Sequence, residues 1–79
     1  MQQVETDPQK LRENRIQMLE EFALKLLKEK GRPNSPYSLR SFKTIMQHES
    51  VIMFYSIPSY EARELGDVAA EIALRKFSI

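Results

Sequence analysis

His48-Glu49-Ser50 supplies, in three consecutive residues, the side-chain types of a hydrolytic relay: base, carboxylate and hydroxyl. Such a relay is defined by geometry, and neighbouring residues on a helix do not face one another. His48 is the sole histidine and cysteine is absent, so neither a histidine-rich nor a thiolate zinc site can be assembled. His48 therefore reads as a surface or interface residue. The carboxylate pairs Glu20/Glu21 and Glu61/Glu64 read as solvated helix charges. Only two glycines occur, Gly31 and Gly66, which excludes a glycine-rich phosphate loop, and neither a nucleophile elbow nor an HExxH motif is present. A chain of 79 residues would also struggle to enclose an active-site cleft. The sequence predicts a protein that is not an enzyme, with no cofactor, no metal and no small-molecule substrate.

Chemistry of binding is easier to find. Between Ala23 and His48 lie six basic residues, Lys25, Lys28, Lys30, Arg32, Arg40 and Lys43, against the single acid Glu29. Each flank is acidic, so the net charge is only +1. A basic middle suits an anionic partner, and these six are the candidate nucleic-acid contacts. Tyr37 and Phe42 stand among them, as aromatics do in single-strand binding sites. Phe42, however, sits on an apolar stripe and reads as core. The plainer alternative is a solvated helix end, where cations favour the dipole.

These residues must be carried by helices. Asp7-Pro8 is a helix start, with Asp as N-cap and Pro in the first turn. Leu11, Ile16, Met18/Leu19, Phe22/Ala23 and Leu26/Leu27 then recur at helical spacing, and Gly31 with Pro33 ends the pattern. The first helix is predicted over about 8–30, preceded by a disordered tail at 1–6. At about 34 Å it is long for so small a chain, so Phe22 and Leu26 are candidates for contact with another chain. Ser35-Pro36 repeats the cap-and-proline start, and Leu39, Phe42, Ile45 and Met46 follow on one face. Val51–Tyr55 is continuously apolar, which in isolation signals a strand. No second β-rich run exists to pair with it. The second helix is therefore extended to about 36–55, because Leu39, Met46 and Met53 are seven apart, as are Ile45 and Ile52. The alternative is a short strand at 51–56 that pairs with its copy in a dimer. In either form Val51, Ile52, Met53, Phe54 and Ile57 are candidate interface residues. Ser59 is the expected N-cap of a third helix over about 60–77, with Ala62, Leu65, Val68/Ala69, Ile72/Ala73 and Phe77 on one face. Gly66 inside it is expected to mark a close helix crossing.

Two short stretches resemble known families. Ala62–Phe77, "ARELGDVAAEIALRKF", resembles the helix-turn-helix of DNA-binding regulators: Ala62, Leu65, Gly66 and Ile72 match its small and apolar positions. Asp67 and Arg75 depart from it, and Ala69, Ala70 and Glu71 stand where base-reading polar residues belong. A continuous helix with one packing glycine is the preferred reading. Ser38–Ser50, "SLRSFKTIMQHES", is similar to part of the small adaptor proteins that trigger phycobilisome degradation, which are helical-hairpin dimers acting by protein contact. That likeness ends at Ser50, and no site residue is carried over from it.

The expectation is thus a small all-α domain of three helices spanning 1–79. It would act as a regulatory or adaptor protein by binding protein, as a homodimer and with another protein. Four methionines suit an adaptable apolar face. The alternative is a nucleic-acid-binding regulator using 25–43 or 62–77. No apolar run approaches the ~18 residues of a membrane span, the polar, acidic N-terminus lacks a secretory signal, and a cytoplasmic location is expected.

Overall fold

The computed structural model describes residues 7–77, and the tail at 1–6 lies outside them. Three helices follow in order: α1 at Pro8–Lys30, α2 at Pro36–Met53 and α3 at Ser59–Lys76. No strand occurs among the described residues.

Local chemistry sets most of these boundaries. The Gln9 N–H donates to the Asp7 carboxylate at 2.9 Å, and Pro8 opens α1. Gly31, with φ of +84°, closes it, and its N–H donates to the Leu27 carbonyl at 2.7 Å. A side chain at that φ would be strained, so glycine is the residue that can stop the helix there. Ser35 and Ser38 form a reciprocal capping box: the Ser38 N–H donates to the Ser35 hydroxyl, and the Ser35 N–H donates to the Ser38 hydroxyl.

Two expectations are corrected in detail. α2 ends at Met53 rather than near residue 55, and Phe54–Ser56 form a turn, so the strand alternative at 51–56 does not occur. Helix 3 starts one residue earlier than expected. Pro58, not Ser59, occupies the N-cap, and no side chain caps this end; the Pro58 carbonyl instead accepts from the Glu61 and Ala62 N–H groups. Ser59 falls inside the helix, where its hydroxyl accepts from the Arg63 guanidinium at 3.3 Å.

α3 is the wall against which the other two helices pack. It contacts both along their lengths, whereas α1 and α2 approach each other at few points. Its buried face is Ala62, Leu65, Gly66, Ala69, Ala70 and Ala73, small at every position but one. Small side chains permit backbones to come close. A Cβ added at Gly66 would lie 2.7 Å from the Met46 carbonyl oxygen, so α2 and α3 touch main chain to main chain there. Pairs along this seam run in opposite senses: Lys43 with Glu71, Gln47 with Asp67, Ser50 with Ala62. The two helices are therefore antiparallel. Ser50 is fully buried, and its hydroxyl donates to the Ala62 carbonyl, which removes the cost of burying it. On the other side, Arg12 meets Glu64 and Lys76 meets Glu20, so α1 runs parallel to α3. Ile16, Leu19, Ala23 and Leu27 of α1 and Phe42 and Met46 of α2 complete the core.

Alanine favours a helix over glycine by about 1 kcal/mol at an exposed site. At Gly66 the added methyl has no room, and Gly66→Ala is expected to destabilise by about 1–3 kcal/mol. Urea denaturation measures the sign; a more stable variant would contradict the close crossing.

Candidate functional site

The arrangement leaves α1 and α2 as two banks of an open groove. At 100° per residue, Arg15, Met18, Phe22, Leu26 and Glu29 fall within an arc of about 80°, rotated by about 100° from the buried row Ile16, Leu19, Ala23 and Leu27. Arg15 and Leu26 of this second row approach the α2 side, while Met18 and Glu29 are exposed. Near one end the Arg15 guanidinium lies 5.6 Å from the centre of the Phe54 ring, just beyond α2. Towards the other end Leu26 lines a cleft with Ser41, Phe42 and Ile45 of α2. Phe22 and Leu26 are half-buried against the core, while Met18 retains 51% of its surface. Across the groove Ile45 is 37% exposed and Ile52, two turns further along α2, is 58% exposed.

The expected interface residues thus divide. Phe22 and Leu26 stand on the α1 bank. Ile52 points to solvent. Val51 is half-buried, and Met53, Phe54 and Ile57 pack onto the core of the same chain. The run Val51–Ile57 is therefore only partly open: it caps the base of the helices with three of its residues and exposes Ile52 and Tyr55. Met18 and Ile45 stand out in the sequence only as members of apolar stripes, not as contact residues, and Arg15 and Glu29 are not singled out there as part of a contact surface. The helical spacing of 15, 18, 22, 26 and 29 was the available signal, masked by the stronger core row beside it.

The basic residues do not converge. Lys25 and Lys28 lie exposed on α1, and Lys30 and Arg32 border the cleft at the α1–α2 connection. Arg40 and Lys43 line a different depression, between α2 and α3, which also holds Asp67. Lys43 lies 3.8 Å from Glu71. Arg32 is committed elsewhere: its Nη1 donates to the carbonyls of Leu74 at 2.8 Å and Phe77 at 3.1 Å. Those carbonyls end α3, where a cation meets both unsatisfied acceptors and the negative end of the helix dipole. Nor is Ala62–Phe77 a helix-turn-helix: Ser59–Lys76 is one unbroken helix, and Ala69 and Ala70 are in the core.

Among the described residues no group of three His, Cys, Asp or Glu side chains is placed to hold a metal. His48 is exposed, whereas Ser50 is buried and engaged with α3, so the two do not form a relay. No described helix is long and apolar enough to cross a membrane. No protein-family model, curated protein or solved structure matches the chain.

Arg32→Ala removes the clamp on α3. Amide exchange at Arg75, Lys76 and Phe77 is expected to quicken, with a loss of about 1 kcal/mol in stability. Unchanged exchange at these amides would show that Arg32 does not hold the helix end.

Proposed function

We propose that this protein is a non-enzymatic regulatory or adaptor protein, and that it works by taking up another polypeptide along the α1–α2 groove. One observation carries the reading. Met18, Ile45 and Ile52 are exposed apolar side chains and Phe22 and Leu26 are half-buried ones, and Leu26 of α1 shares one cleft with Ile45 of α2. Isolated exposed apolar side chains are ordinary, but a row on two facing helices is the geometry that receives an amphipathic helix. Methionine at one end of the α1 row, Met18, supports an adaptable contact.

Nucleic-acid binding is the weaker reading. Arg32 and Lys43 are engaged within the chain, and the remaining cations are spread over more than one surface. Salt separates the two. Groove binding should vary little with ionic strength, whereas phosphate contacts weaken steeply.

A photocrosslinking residue placed at Met18 or Ile52 is expected to trap a polypeptide in extracts of the source cell. The same residue at Arg75, on the outer face of α3, should trap none. Equal crosslinking at all three positions, or none, would refute the groove as the contact surface. Ile52→Asp is expected to keep the helical circular dichroism while abolishing the crosslink at Met18. Phe54→Asp, which places a charge under Arg15 and against the core, should instead lower stability.

A further inference from the structure

We infer that the polypeptide occupying the groove is α1 of a second copy of this chain, laid antiparallel and centred on Phe22; this rests on the reading of the groove as a binding surface. The argument is the order of charges along the open row of α1. Read in sequence it is a cation, three apolar residues and an anion: Arg15, Met18, Phe22, Leu26, Glu29. A two-fold axis through Phe22 sets Phe22 against the partner's Phe22, Met18 against the partner's Leu26, and Arg15 against the partner's Glu29. Every pairing is then apolar with apolar or opposite in charge. A parallel arrangement would set Arg15 on the partner's Arg15 and Glu29 on the partner's Glu29. The row thus selects one orientation and one register, as an isologous interface requires.

The surroundings fit. Glu29 is exposed and has no ion-pair partner among the described residues. Arg15 already covers Phe54, which holds its guanidinium at the end of the row. From Arg15 to Glu29 the row is about 21 Å long, enough for two helices to meet over four turns. Ile45 and Ile52 of each copy flank the incoming helix. The result is a four-helix contact of α1 and α2 from both chains, apolar at its centre and charged at its ends, the anatomy of a stable interface.

Light scattering across a concentration series tests this with the purified chain. The wild type is expected at twice the 9.3 kDa chain mass. Glu29→Arg and Arg15→Glu each turn two attractions into two repulsions, and each should raise the dimer Kd about tenfold. An equimolar mixture of these two variants restores opposite charges at both ends and should dimerise with wild-type affinity. Helical circular dichroism of each variant confirms folding, and Glu29→Arg alters a solvent-exposed residue. A monomer at every concentration overturns the inference, as does a Kd unmoved by either variant or a mixture no tighter than its components. If the chain is monomeric while Met18 and Ile52 still crosslink to a different protein, the groove reading stands and the second copy does not. If they crosslink to nothing, both fall.

Discussion

The close contact of Gly66 with the Met46 carbonyl decides the shape of this molecule. An almost uniformly small face on α3 lets α2 settle against it backbone to backbone, and Ala69, Ala70 and Ala73 sit in the same core with α1. A helix that is thin on its inner side can be approached closely by two neighbours at once. Those neighbours then stand apart, each turned to α3 rather than to the other. The groove between them follows from the packing of the helix behind it.

Charge has a secondary part. Arg12–Glu64, Lys43–Glu71 and Lys76–Glu20 all tie an outer helix to α3 with at least one solvent-exposed partner, and a fully exposed pair such as Arg12–Glu64 contributes at most about 1 kcal/mol. Glu20 is the more sheltered partner, at 15% side-chain exposure. The value of the pairs lies in setting sense and register: they agree with α1 parallel and α2 antiparallel to α3. Arg32 does more, because it joins the α1–α2 connection to the last carbonyls of α3 across the whole chain. A stretch whose composition suggests an anion site is thereby employed in part as internal structure.

The helices were legible in the sequence because their ends are written in local chemistry. Asp7-Pro8, Gly31 and Ser35-Pro36 act within a few residues, and α1 has the bounds they dictate. Gly66 was legible as a crossing because glycine in a helix interior needs a packing reason. The start of α3 was misassigned because Ser59 is a good cap by type, while the chain caps that end with the Pro58 main chain. Where α2 stops could not be read, since Val51–Tyr55 carries no glycine or proline to mark it. Long-range matters were also hidden. Nothing near Arg32 announces that its partners are more than 40 residues away, and nothing near Ser50 announces a buried bond to Ala62. The open row of α1 is periodic, yet it shares its helix with a more apolar row that draws the eye first.

The central claim is that the uncovered faces of α1 and α2 are where this molecule meets its own kind. Amide chemical shifts recorded on dilution from millimolar to micromolar concentration test it residue by residue. The account predicts movement at Met18, Phe22, Leu26, Glu29, Ile45 and Ile52, with Glu64, Glu71 and Arg75 on the outer face of α3 unmoved. Shifts that do not change with concentration, or that change on the outer face of α3 instead, would contradict it.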